Sequence, residues 1–121
     1  MSPEMARVFI VEDQGMMREF MRSSLVRAGH VIVGEANRIE AAIEATTRFD
    51  EMGVQVIIID GNLTLDDVSG DDGQAVLGAV RQNAPHVKTV GMSFSKKGVP
   101  GTDLNLGKQN MSKLGDEVTQ L

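Results

Sequence analysis

Val54-Gln55-Val56-Ile57-Ile58-Ile59-Asp60 is the stretch on which the fold turns. From Val56 to Ile59 every residue is apolar and β-branched, without the polar alternation of a strand that faces water on one side. Such a run suits a strand covered on both faces, as in a parallel sheet with helices packed on each side. The run then stops at a carboxylate. In open α/β sheets the ligand crevice lies beyond the carboxyl ends of the strands, so Asp60 would stand at its mouth. Taken alone, Asp60 reads equally well as the cap of the turn that follows.

Upstream, Arg7-Val8-Phe9-Ile10-Val11 is a second buried strand, and it too ends in acid, Glu12-Asp13. Adjacent strands that deliver three carboxylates to one rim repel one another unless a proton or a cation relieves them. A hard divalent metal ion is the simplest cation for that task. Gly15 to Ala28 reads as a helix, with Met16, Met17, Phe20, Met21, Leu25 and Ala28 on one stripe, where methionine serves as core filler. Gly29 stops this helix, and Val31-Ile32-Val33 forms a short strand. Asn37 and Glu40 have capping-box spacing, which predicts a helix running to about Met52 and ended by Gly53.

After Asp60, the stretch from Gly61 to Asp72 combines Asp66, Asp67, Asp71 and Asp72 with Gly61 and Gly70, and reads as an acidic loop overhanging the strand ends. A third helix is expected over Gly73 to Asn83, stopped before Pro85, and a fourth strand over Val87 to Ser93. Gly98, Pro100 and Gly101 leave no room for a full helix before a weak fifth strand, Asp103 to Leu106. Met111 to Leu121 closes the chain as a helix with Ser112 as its cap. Alternating strands and helices with short joints predict an α/β fold, a five-stranded parallel sheet wound on both sides.

Composition narrows the function classes. With 121 residues the chain reads as a single domain, 1–121, large enough to bury one core. The absence of cysteine excludes disulfides, a thiolate nucleophile and a thiolate metal site. A net charge of −5, with no basic cluster beyond Lys96-Lys97 and neither Trp nor Tyr, argues against direct nucleic-acid binding. No apolar run is long enough for a helical membrane span, so a soluble, cytoplasmic protein is expected. His30 and His86 stand at element boundaries without a partner ligand, and no metal role is assigned to them.

Set side by side, the strand ends carry Glu12-Asp13, Asp60, Ser93 and Lys108. An aspartyl-phosphate site needs such a set: acids for a divalent cation, one carboxylate as nucleophile, and a hydroxyl and an amine for the phosphoryl oxygens. Ser93 bonded to nearby backbone and Lys108 as a solvated loop lysine remain open as structural readings.

This ordered set, over essentially the whole chain, resembles the receiver domain of two-component response regulators, the CheY-like superfamily. The resemblance implies a flavodoxin-like strand order 2-1-3-4-5 and Asp60 as phosphoacceptor, with Ser93 and Lys108 completing the catalytic set. It further implies Mg²⁺ bound by Asp13, Asp60 and the backbone carbonyl of Asn62, with Glu12 acting through a metal-bound water. The phosphodonor would be a sensor histidine kinase or a phosphotransfer protein, and Asn62 would tune dephosphorylation. Several positions depart from the family's pattern. The loop after Asp60 is longer and lacks its proline, and Phe94 stands where a small residue is usual and would restrict access. The segment from Ser93 to Lys108 is short, so the fourth helix is reduced or missing, which leaves Lys113 as a second lysine candidate. Gln109 replaces the proline after the lysine, and no aromatic precedes Lys108 on the fifth strand to serve as the usual switch. With nothing after Leu121, the chain resembles a stand-alone receiver or one cut from a longer protein.

Two other functions compete. A degenerate receiver would keep the fold and act as a phosphorylation-independent interaction module. Asp60-Gly61-Asn62-Leu63 also looks like the tail of the first motif of haloacid-dehalogenase-type phosphatases, but the position of that family's nucleophile is here Ile58.

Overall fold

The computed structural model describes residues 5–61, 71–94 and 98–121. Five strands, β1 (Arg7–Val11), β2 (Val31–Ala36), β3 (Val56–Asp60), β4 (Lys88–Ser93) and β5 (Leu104–Gly107), form one parallel sheet in the order β2-β1-β3-β4-β5. This is the flavodoxin-like order, and it puts β1 and β3, the two strands that end in acid, side by side at the centre. Every residue of β3 is buried. Ile57 and Ile59 face one apolar layer with Phe9, Val11, Val76, Leu77 and Val80, whereas Val56 and Ile58 face the other with Val8, Ile10, Met21, Leu25 and Leu114. The uninterrupted apolar run is thus a strand with two cores, one on each face of the pleat.

Helices α1 (Gly15–Arg27) and α5 (Leu114–Thr119) cover one face, and α2 (Ile39–Thr46), α3 (Phe49–Met52) and α4 (Asp71–Asn83) cover the other. Several expectations about these helices need correction. Along α1 the buried row is Met21, Ser24 and Leu25, while Met16 and Phe20 are 69% and 54% exposed. Each precedes a residue of the buried side by one position and is turned about 100° away from it by the helical repeat. The helix expected to run to Met52 breaks in two after Thr46. The hydroxyls of Thr46 and Thr47 donate back to the carbonyls of Ile43 and Glu44, and the chain leaves α-helical bonding there. Arg38, not Asn37, is the N-cap of α2, without a side-chain cap bond. At the carboxyl end a 3₁₀ helix over Lys108–Lys113, irregular at Asn110, precedes α5, whose N-cap is Lys113 rather than Ser112.

Among the described residues no helix lies between β4 and β5. The connection is strapped directly to its neighbours instead. Val99 is buried in the α4-side core, and its N–H donates to Asn105 Oδ1 at 2.7 Å. Gln74 and Arg81 of α4 donate to the carbonyls of Pro100 and Gly101, and Asp103 accepts from the N–H and the hydroxyl of Thr89. Gly91 makes this close approach possible, because a Cβ there would lie 2.5 Å from Asn105 Oδ1 and 2.7 Å from Val99 Cβ. No helix among the described residues is long and apolar enough to cross a membrane.

Candidate functional site

Parallel pairing makes β1, β3, β4 and β5 end on the same edge of the sheet, and the predicted residues gather there. Asp60 is the last residue of β3 and is 1% exposed. Glu12 and Asp13 follow the last residue of β1, with Glu12 fully buried and Asp13 half-buried. Oxygen atoms of these three carboxylates lie within 4.8 Å of one another. Ser93, buried, ends β4 one residue beyond Met92, the register partner of Asp60. Its hydroxyl adjoins Gly61, where a Cβ would come within 3.2 Å of Ser93 Oγ.

Lys108 is the first residue past β5, where the 3₁₀ helix begins, and its side chain enters the acidic cluster. Its Nζ stands 2.9 Å from Glu12 Oε1 and 2.8 Å from Asp60 Oδ1, and the side chain is only 8% exposed. Lys113, the other lysine considered, is exposed at the end of the 3₁₀ helix. The solvated-lysine reading of Lys108 is thereby removed. Phe94 is 69% exposed, and its ring centroid lies 5.6 Å from the Lys108 ammonium, within cation–π range. Asn62 and most of the acidic loop, residues 62–70, lie outside the described residues, as do residues 95–97.

Burial raises the Glu12 carboxyl above its ordinary range, reinforced by Asp60, although Asp13 and Lys108 pull the other way. Asp13 is raised as well, by burial first and then by Glu12. Burial works against the charge on Lys108, but its contacts with Asp60 and Glu12 outweigh this and hold the ammonium above its usual value. Among the described residues, three carboxylates against one ammonium leave a formal charge of −2 when all are ionised. An all-oxygen donor set with that deficit fits a small hard divalent cation such as Mg²⁺.

The sequence reading missed the arginines behind this site. Arg18 and Arg22 of α1 both reach Glu35 of β2, and Arg18 also donates to the carbonyl of Glu12 at 2.9 Å. Their four-residue spacing was the available signal, but nothing in the sequence indicates that Glu35 faces them.

No family model and no curated protein matches the sequence. Solved structures do. The chain aligns with the RcsB response regulator of Salmonella typhimurium at a TM-score of 0.75 and 18% identity, over 93% of this chain and 57% of that one. It therefore spans little more than half of that protein's length. The response regulator domain of Thermotoga maritima CheB aligns at 0.72 and 18% identity, over 96% of this chain and 95% of that one. The signal receiver domain of a Mycobacterium tuberculosis NarL response regulator aligns at 0.72 and 23% identity, over 98% of each chain. With the strand order, the two-faced core and the acids at the central strand ends all in agreement, the chain has the fold of the response regulator receiver domains.

Proposed function

We propose that residues 1–121 form a single phosphoacceptor receiver of a two-component or phosphorelay system, phosphorylated on Asp60. One observation carries this: Lys108 bridges Asp60 to Glu12 inside a cluster of three carboxylates at the ends of the two central strands. Asp60 Oδ attacks phosphorus, forming a carboxyl–phosphoryl bond as the bond to the donor's leaving group breaks. When the donor is a phosphohistidine the broken bond is P–N, and with the other ring nitrogen already protonated the imidazole leaves neutral. Lys108 shifts from Asp60 toward the incoming phosphoryl oxygens, and the Ser93 hydroxyl donates to another of them.

Glu12, Asp13 and Asp60, with the Asn62 carbonyl, would hold Mg²⁺. When bound, that ion neutralises charge on the phosphoryl oxygens. The buried strand end fixes the nucleophile in place. Phosphorylation adds about −1.5 to −2 charges at Asp60 and draws Lys108 and Ser93 toward it. The chain is in this account a signalling module that catalyses only its own phosphorylation and dephosphorylation. It would be served by a sensor histidine kinase or phosphotransfer protein in the cytoplasm and would pass the signal on by protein contact.

A second reading, a phosphorylation-independent interaction module of the same fold, draws on Phe94 over Lys108 and on the strapped β4–β5 connection. Intact mass after incubation with Mg²⁺ and acetyl phosphate decides between them. A single phosphoryl adduct on the wild type, absent from Asp60→Asn, is the expected result. No adduct on the wild type, even with Phe94→Ala introduced to open the approach, would leave the interaction module standing.

A further inference from the structure

We infer that Arg18 is a positioning residue for the acidic pair, fixing the peptide between Glu12 and Asp13 so that both carboxylates converge with Asp60. The inference rests on the reading of this cluster as a divalent-cation site. At Glu12 the chain leaves β1 and turns toward α1, and each of its polar groups has a defined partner. The backbone N–H donates to Ala36 O at 3.1 Å, which continues the β2 pairing one residue past the strand. One carboxylate oxygen accepts from the Gln14 N–H at 3.2 Å, and the other meets Lys108. The carbonyl accepts from Arg18 Nη1 at 2.9 Å. A carbonyl direction sets the peptide plane, and this plane sets where Asp13 departs from the buried strand end.

Arg18 is itself held. Its Nε lies 3.2 Å from Glu35 Oε1, while Arg22 engages both oxygens of Glu35 at 2.7 and 2.8 Å. Glu35 is the register partner of Ile10 on the neighbouring strand. The clip therefore ties β2, α1 and the end of β1 together. A guanidinium can serve a carboxylate and a carbonyl at once from its rigid fork, which an ammonium cannot do in the same geometry. Groups that orient metal ligands from behind typically change metal affinity by about 10- to 100-fold when they are removed.

Electrostatics and positioning make opposite forecasts. Arg18 carries positive charge beside a cation site, so its charge alone weakens Mg²⁺ binding, and removing it would tighten binding. Loss of positioning weakens binding instead. Calorimetric Mg²⁺ titrations of the full chain, with thermal melts alongside, compare the wild type with Arg18→Met and Arg18→Lys. The expected result is affinity reduced about tenfold or more in both variants, with cooperative melting retained. Affinity equal to or tighter than wild type in Arg18→Met, or wild-type affinity in Arg18→Lys, overturns the inference. Should Arg18→Met not fold, Arg18→Lys, which keeps the charge, decides alone. A wild type that shows no Mg²⁺ binding overturns the reading of the cluster itself, a result distinct from a normal wild type with neutral variants.

Discussion

Replacing Lys108 by Met removes an ammonium placed between two carboxylates that are 0% and 1% exposed. The methionine stem fills much of the same space, so the loss is chiefly of charge. Breaking a buried ion pair by deleting one partner costs about 3 to 5 kcal/mol. Here the orphaned charge has an escape, because one carboxylate can take up a proton, and this holds the cost at neutral pH to the lower end, about 3 kcal/mol. A chain of this length unfolds with an entropy of about 0.25 kcal/mol/K, so the melting temperature should fall by about 12 °C in metal-free neutral buffer. The pH dependence follows from the sign of the Glu12 shift. Folding already raises this carboxyl, so its protonated form is favoured in the folded state, and its destabilising influence appears as pH rises through the raised value. Without Lys108, which pulls the carboxyl down, that value rises further. The gap between variant and wild type should therefore narrow as pH falls from neutral into the acid range, and it should narrow again on saturation with Mg²⁺. Thermal melts followed by circular dichroism, with and without Mg²⁺ at several pH values, provide the test. A melting difference below about 3 °C in metal-free neutral buffer, or one indifferent to pH, would refute the reasoning.

Mg²⁺ affinity of the wild type should itself decline as pH is lowered, starting above the ordinary carboxylate range, because both Glu12 and Asp13 hold their protons more tightly than usual and binding must displace them; calorimetry that finds a flat affinity down to that range would contradict this. Gly91→Ala should cost about 1 to 3 kcal/mol in urea unfolding, since its Cβ would come within 2.5 Å of Asn105 Oδ1 and 2.7 Å of Val99 Cβ. Combining it with Asn105→Gly should recover part of that loss, and strict additivity of the two substitutions would argue against the contact as the cause.

The chemistry of the rim was legible in the sequence because it depends on one rule. Parallel strands end on the same edge, so the residues that terminate β1, β3 and β4 meet once those strands are neighbours, an order that the family resemblance implied and the structure has. Glu12, Asp13, Asp60 and Ser93 could be named in this way, and the unbroken Val56-Ile57-Ile58-Ile59 run carried the two-faced burial. Lys108 was legible only as a candidate, because its place depends on where a weak edge strand ends and the 3₁₀ helix begins.

Other features were decided by tertiary structure. Apolar periodicity in α1 marks a stripe without saying where its edges lie, and the docking of α1 and α5 around Ser24 and Gly115 left Met16 and Phe20 outside. The Arg18–Glu35–Arg22 clip joins residues 13 to 17 positions apart, a proximity that exists only once β2 pairs beside β1. The same holds for the β4–β5 connection. Its glycines and proline excluded a helix, but the bonds from Gln74, Arg81 and Thr89 that hold it, beside the local one to Asn105, come from elements 14 to 26 positions away. Sequence alone determined the strands and the acids that end them, because local pattern suffices for both, while their order in the sheet came from the family resemblance. Which charge compensates those acids, and what holds them in place, required the packed chain, because electrostatic partners are chosen by distance in space.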